Sequence, residues 1–302
     1  MGYKKILKNL ILRSHSAKRI GQLLLIFVTS GLSGCASYSP NPQWDETLTD
    51  QALEKFTYEA PNGMKMPYRL YVPKGYKKGD RYPLLVFLHG RGERGTDNTA
   101  KMFSGIGLFK GNHSIVSPKG QLEFPSIVLI PQCSDKTNDE EWANWDGNSP
   151  EEPFVGLGMD GSYTPSAKPS DSGAAALSLV DHIIETHPVN DKRVYITGIS
   201  MGGFGTWEFM MRRPELFAAA APMAGYSKHS DAQKIAHIPI WIFHGATDQW
   251  NPVEGSRISY RLLKEAGAEV RYTEYPDTDH MESFHKAWAE FELLPWIFSQ
   301  SK

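Results

Sequence analysis

Residues 192–214 read Lys192-Arg193-Val194-Tyr195-Ile196-Thr197-Gly198-Ile199-Ser200-Met201-Gly202-Gly203-Phe204-Gly205-Thr206-Trp207-Glu208-Phe209-Met210-Met211-Arg212-Arg213-Pro214. Lys192 to Thr197 is a short run with β-branched residues, which predicts a buried strand. Gly203 onward predicts a helix that stops near Pro214, whose ring and missing N–H break the hydrogen-bond ladder. Between them Gly198-Ile199-Ser200-Met201-Gly202 fits G-x-S-x-G. Alone the pattern is weak, because glycine and serine are common in turns. A strand on one side and a helix on the other give it meaning. Such a turn forces Ser200 into a strained backbone, while small neighbours let strand and helix approach. The hydroxyl then stands over the carboxyl edge of a sheet, with the Met201 N–H beside it at the helix start.

A serine hydroxyl is a poor nucleophile at neutral pH, so an imidazole must take its proton and a carboxylate must orient that imidazole. Downstream, Ile238 to Gly245 predicts an apolar strand, and Asp248 follows it just before a helix opening at Asn251-Pro252-Val253 and reading through Lys264. A last strand, Ala268 to Tyr275, runs into Pro276-Asp277-Thr278-Asp279-His280, and an amphipathic segment from Ser283 to Phe298 closes the chain. Asp248 and His280 therefore occupy loops at strand ends, in the order nucleophile, acid, base. Asp277 and Asp279 lie nearer His280 in sequence, but adjacent residues rarely present their side chains to one another. His285 competes with His280 but falls within the predicted helix. Asp248 also has a simpler reading, as a cap on the helix that follows.

A tetrahedral oxyanion needs two preorganised donors. The Met201 N–H supplies one, and the strand Tyr82 to Leu88 leads into His89-Gly90-Arg91, whose Arg91 N–H is the expected second, with Gly92 as its close rival. His89 and His244 each end a strand before glycine and read as buried histidines bonded to backbone. The remaining histidines show no paired helical spacing and no accompanying cysteines, so neither a metal site nor a cofactor is expected.

On these stretches the chain resembles a family of secreted bacterial α/β-hydrolases, often labelled predicted peptidases, close to the feruloyl and acetyl-xylan esterases of carbohydrate esterase family one. The resemblance is carried by Tyr68-Arg69-Leu70-Tyr71-Val72-Pro73, His89-Gly90-Arg91-Gly92-Glu93-Arg94-Gly95, Pro131-Gln132-Cys133, the segment Gly198 to Trp207, His244-Gly245-Ala246-Thr247-Asp248, and Tyr275-Pro276 leading to His280. It runs from about Phe56 to the C terminus. It implies the α/β-hydrolase fold, a mostly parallel central sheet with helices on both faces, and ester hydrolysis through Ser200, Asp248 and His280. Related loops often carry glycine before the histidine, where this chain has Asp279. That acid is expected either to raise the basicity of His280 or to face solvent.

The amino terminus addresses location. Six Lys or Arg residues fall between Lys4 and Arg19, no acid precedes Asp45, and an apolar stretch spans Ile20 to Leu32. That is short for a bilayer span but suits a signal-peptide core. It ends Leu32-Ser33-Gly34-Cys35, which resembles a lipobox, so residues 1–34 are expected to be a lipoprotein signal peptide and Cys35 a lipidated first residue. Residues 35–52 then read as a lipidated cysteine and tether, and 53–302 as the catalytic domain. Ala36 lacks the aspartate associated with inner-membrane retention, which points to the outer membrane or cell surface of a bacterium. The alternative is an ordinary signal or uncleaved anchor with a chance cysteine.

If Cys35 is lipidated, Cys133 has no partner and the fold is not disulfide-stapled. A net charge of −2 and a pI near 6.6 provide no electrostatic basis for nucleic-acid binding. Between Gln132 and Ser172 lies a long turn-rich insertion holding Trp142 and Trp145 and the acidic run Asp139-Glu140-Glu141, which reads as a solvated face. Excursions over the carboxyl edge of a sheet shape pockets, so Trp142, Trp145 and also Trp250 are candidates to stack on a sugar or aromatic acyl group, against the alternative that they pack the core. Arg94 reads as binding an internal acid or a substrate carboxylate. The function expected is hydrolysis of carboxylic esters, with acetyl or feruloyl esters of carbohydrates, including polysaccharide, as substrates. A prolyl-oligopeptidase-like peptidase is the rival, although no propeller-length segment restricts access. A hydrolase-like binding lipoprotein without catalysis is the third reading.

Overall fold

The computed structural model describes residues 43–136, 142–149, 160–161, 163, 168–227, 230 and 232–302. The expected leader and Cys35 lie outside them. The unit that runs to the C terminus carries all that follows.

In chain order it builds α1 (Glu46–Ala52), β1 (Glu54–Glu59), β2 (Lys65–Tyr71), β3 (Tyr82–Leu88), α2 (Pro118–Glu123), β4 (Ile127–Pro131), and the short pair β5 (Trp142–Ala143) and β6 (Asn148–Ser149). Then come α3 (Asp171–Thr186), β7 (Val189–Ile199), α4 (Met201–Arg212), β8 (Ala219–Met223), α5 (Ala232–Ile235) and β9 (Ile240–Gly245). The chain finishes with α6 (Val253–Glu265), β10 (Val270–Tyr275), α7 (His280–Ala289) and α8 (Leu293–Ser299). The main sheet has the order β1-β2-β4-β3-β7-β8-β9-β10. β1, β2 and β4 pair antiparallel, and from β4 to β10 all neighbours are parallel.

Parallel strands buried on both faces must be apolar throughout, which is how β3, β4, β8 and β9 read. Strand periodicity sorts their side chains into two cores. Leu84, Val86, Leu88, Val194, Ile196, Ile240 and Ile242 share one with α3 and α4. Leu85, Phe87, Tyr195, Ala219, Ala221, Trp241 and Phe243 share the other with Phe284 and Ala287 of α7 and Trp296 and Ile297 of α8. This is the expected layout of the α/β-hydrolase fold, a mostly parallel sheet with helices on both faces.

Two segments depart from expectation. Residues 46–52, read as tether, form α1, capped by Asp45, whose carboxylate accepts the Leu48 N–H at 2.9 Å. The fully buried Arg69 of β2 anchors its end by donating to the Leu53 carbonyl at 2.9 Å and the Asp50 carbonyl at 3.3 Å. The C-terminal amphipathic segment is two helices, and the first begins earlier than expected, at His280.

Register brings the strand ends to one edge: Leu88 pairs with Gly198, Ile199 with Met223, Met223 with Phe243, and Gly245 with Tyr275. The residues immediately beyond β3, β7, β8, β9 and β10 therefore meet in the crevice outside the carboxyl ends, where open α/β sheets bind ligands.

Candidate active site

Ser200 sits at φ 54° and ψ −119° between β7 and α4. A non-glycine residue held there costs on the order of 1–3 kcal/mol, so its surroundings must enforce the conformation. The Ser200 N–H donates to the Met223 carbonyl at 2.9 Å, and its own carbonyl accepts the Phe204 N–H at 3.1 Å. Gly202 permits the close approach, since a Cβ there would stand 2.0 Å from the Leu88 carbonyl oxygen. Ser200 is thus the N-cap of α4, and Met201, whose side chain is buried, places its N–H in the first turn.

From this turn a chain of hydrogen bonds runs inward. The Ser200 hydroxyl lies 2.8 Å from His280 Nε2, and His280 Nδ1 lies 2.5 Å from Asp248 Oδ2. Asp248 is ringed by donors: its Oδ1 accepts the N–H groups of Trp250 at 2.9 Å and Asn251 at 2.8 Å, and His244 Nε2 stands 3.2 Å from Oδ2. Burial alone would push this carboxyl up. The bonds from His244 and His280 and from the Asn251 N–H override burial and hold it well below the usual carboxylate range. An ionised Asp248 makes His280 carry its proton on Nδ1, leaving Nε2 to accept the serine proton. His280 is the first residue of α7, and Asp279 is the N-cap, accepting the Glu282 N–H at 2.8 Å. That cap, rather than a contact with the imidazole, accounts for the acid at 279. His285 is exposed on α7.

The loop after β3 reaches the same place. A Cβ on Gly90 would stand 3.7 Å from Ser200 Cβ and 2.9 Å from Glu93 Oε2. Arg91 opens a single 3-10 turn, Arg91–Glu93. His89 fixes the peptide ahead of it. Its Nε2 accepts the Cys133 N–H at 3.0 Å, so Nδ1 carries the proton and donates to the Gly90 carbonyl at 2.7 Å. In a trans peptide the Arg91 N–H then points away from the His89 ring. Arg94 braces the turn by donating to the Arg91 carbonyl and, across to the insertion, to the Ala143 carbonyl. Cys133 is a free thiol that burial pushes up to about 12.

Burial pushes His89 down from 6.5 to about 4, so it is neutral in the folded protein. Unfolding lets it take a proton below about 6.5, which makes its contribution to stability shrink as pH falls toward about 4. The displacement corresponds to about 3 kcal/mol. Denaturant unfolding of the protein and of His89→Gln should therefore give a stability gap that narrows by about that amount between neutral pH and about pH 4.

The tryptophans divide. Trp250 is 61% exposed, and its ring centroid lies 4.8 Å from that of His280. Trp145 is 0% exposed and donates from Nε1 to the His89 carbonyl at 3.0 Å, with its ring against His89 and Phe209. It is a core residue that braces the loop after β3, and the expectation that it meets substrate is corrected. The side chain of Trp142 lies outside what is described. His244, read as bonded to backbone, does reach the Asn251 carbonyl at 3.0 Å, but it also touches Asp248 and the Ser256 hydroxyl, the latter at 2.7 Å. Its strand-end position before glycine carried no signal of those two partners. Among the described residues no cluster of His, Cys, Asp and Glu is arranged to hold a metal.

A family model described as "Putative esterase" matches residues 60–268. The chain is 28% identical over 227 residues to an endo-1,4-β-xylanase/feruloyl esterase of Xylanibacter ruminicola, covering 71% of this chain and 27% of that one. It is 27% identical over 114 residues to a bifunctional acetylxylan esterase/xylanase of Neocallimastix patriciarum, covering 36% and 17%. The chain thus spans less than a third of the length of each of these relatives. A solved structure of a thermostable esterase superposes with a TM-score of 0.71 at 34% identity, covering 84% of this chain and 64% of that one.

Proposed function

The chain belongs to the esterase family whose model spans residues 60–268, and from that premise we propose that it hydrolyses carboxylic esters through an acyl-enzyme on Ser200. The observation that carries this reading is the unbroken hydrogen-bonded chain from the Ser200 hydroxyl through His280 to a buried, ionised Asp248. In it His280 takes the serine proton as Oγ attacks the ester carbonyl, and Asp248 stabilises the imidazolium. The oxyanion forms against the N–H groups of Met201 and Arg91. Collapse expels the alcohol, which takes the proton from His280. Water then repeats the cycle and releases the acid.

The substrate class is the finer part of the proposal: acetyl or feruloyl esters of carbohydrates. Trp250 supports it, because an exposed indole beside the catalytic base gives a flat apolar face on which a sugar or a feruloyl ring can stack. The names of the two xylanase relatives point the same way. The proposal also keeps Cys35 as a lipid-bearing residue that holds the enzyme at the bacterial cell surface.

A panel of p-nitrophenyl acetate, longer acyl esters, methyl ferulate, acetylated xylan and a chromogenic proline peptide tests this. Turnover of ferulate or acetylated xylan is expected, with Trp250→Ala raising KM for them by about tenfold, the worth of one aromatic stacking contact, and leaving kcat for p-nitrophenyl acetate close to unchanged. Equal KM values for both proteins on the carbohydrate esters would remove the indole platform from the reading. Peptide cleavage without ester turnover would replace esterase by peptidase.

A further inference from the structure

Asp248 Oδ2 is approached by two imidazoles: Nδ1 of His280 at 2.5 Å and Nε2 of His244 at 3.2 Å. The protonation of the second ring follows from its partners. Its Nε2 faces Asp248 Oδ2 and, at 3.0 Å, the Asn251 carbonyl, neither of which can donate, so Nε2 must carry a proton. Its Nδ1 lies 2.7 Å from the Ser256 hydroxyl, which is also 3.3 Å from the Gly225 carbonyl. His244 and Asp248 have no exposed side-chain surface, and Ser256 on α6 is fully buried, so water does not compete for these bonds. The polar chain that begins at Ser200 therefore does not end at the carboxylate.

We propose that His244 is a positioning residue for the hydrolytic reaction, holding Asp248 Oδ2 through its Nε2–H and setting how strongly that oxygen binds the His280 imidazolium. The proposal rests on the serine-hydrolase reading. Two donors on one carboxylate oxygen share its lone-pair density, so each bond is weaker than it would be alone. When His280 takes the Ser200 proton, the charge-assisted bond to Oδ2 strengthens. His244, shared with the Asn251 carbonyl, then keeps a second acceptor as its hold on Oδ2 relaxes. Removing the His244 donor lets Oδ2 bind the imidazolium more tightly. The acid limb of the rate profile then moves upward. The other ionisable groups facing this assembly are engaged, capped or held neutral. Glu274 of β10 is held by Arg257 and the Tyr272 hydroxyl, and Asp279 caps α7. On α7, Lys286 pairs with Glu282. Tyr226, beyond β8, is kept protonated by burial.

The test is the pH dependence of kcat/KM on p-nitrophenyl acetate for the full chain, His244→Phe and His244→Gln. The phenylalanine variant loses the donor that keeps Asp248 Oδ2 in place, so it should lose about tenfold in kcat through a misplaced His280, with KM nearly unchanged, and its acid limb should move up by about one pH unit. Glutamine, whose amide N–H can stand near the Nε2 position, should recover most of both. Equal losses in the two variants with an unmoved acid limb would overturn the proposal and leave a packing residue. Imidazole 15N spectra of the unmodified protein give a readout that needs no variant to fold: Nε2 of His244 must be protonated across the active pH range, and a bare Nε2 would overturn the idea. Absence of ester turnover in the unmodified protein would instead strike the hydrolase reading, leaving the spectroscopic result to stand or fall by itself.

Discussion

Replacing Ser200 with alanine is expected to lower ester turnover by about four orders of magnitude or more while leaving the folded state in place. On the proposed mechanism the nucleophilic oxygen is the only group removed. What remains, the N–H donors at the start of α4 and in the loop after β3, can still bind an ester and polarise it, but no acyl-enzyme can form. The backbone at 200 keeps its positive φ because the bonds to Met223 and Phe204 and the close contact at Gly202 come from the main chain. Alanine pays the same conformational strain as serine there. The midpoint of urea unfolding should therefore move little, by less than about 1 kcal/mol in equivalent stability. Two measurements check the claim: burst kinetics with p-nitrophenyl acetate, and covalent labelling by a fluorophosphonate. A variant that still labels, or that keeps a tenth of the turnover, would place the chemistry elsewhere.

The convergence of Ser200, Asp248 and His280 is legible because each follows a strand at the same edge of a parallel sheet, and strands announce themselves in sequence. Once β7, β9 and β10 are recognised, topology brings their distal loops together whatever the intervening helices do. Sequence is silent where partners depend on packing rather than on chain order. His244 and Asp248 are four residues apart across a strand end, and nothing in that spacing says that both imidazoles turn to one oxygen. Ser256 joins them from α6, eight residues beyond Asp248. Trp145 lies in an aperiodic, turn-rich insertion, where no alternation separates inward from outward positions. Its direction is set instead by its bond to the His89 carbonyl. α1 carries little signal in sequence because seven residues make a marginal helix in isolation. It is held through Arg69, whose carbonyl contacts sequence cannot reveal. Asp279 is exposed, as one of the two expectations for it has it, and Asp279-His280-Met281-Glu282 is in addition a capping-type pattern that gives the acid its place at the start of α7.

The second large effect should come from Asp248→Asn, and its size follows from counting donors. Four N–H groups, from Trp250, Asn251, His280 and His244, converge on a carboxylate with acceptor capacity on both oxygens. Asparagine offers one acceptor oxygen and one NH2 group. If the amide nitrogen turns toward the two imidazoles, His280 must accept at Nδ1 and carry its proton on Nε2, where it can no longer take the Ser200 proton. If it turns toward the Trp250 and Asn251 N–H groups, two backbone donors face a donor in a buried site. The first arrangement is the less costly, so kcat is expected to fall by about ten-thousandfold, with a smaller change in KM. Either arrangement leaves buried polar groups mismatched, and unfolding should report a loss of about 3 kcal/mol at neutral pH. The pH dependence of that loss has a definite sign. The wild-type carboxyl is held below its unfolded value, so its contribution is fully present above about pH 4 and disappears only as pH falls through the lower folded value. Asparagine does not titrate. The stability gap between the two proteins should therefore be flat at neutral pH and close only under strongly acid conditions. A gap that closed near neutrality would mean that Asp248 is not the ionised anchor of His280, and the proton path from Ser200 would have to be redrawn.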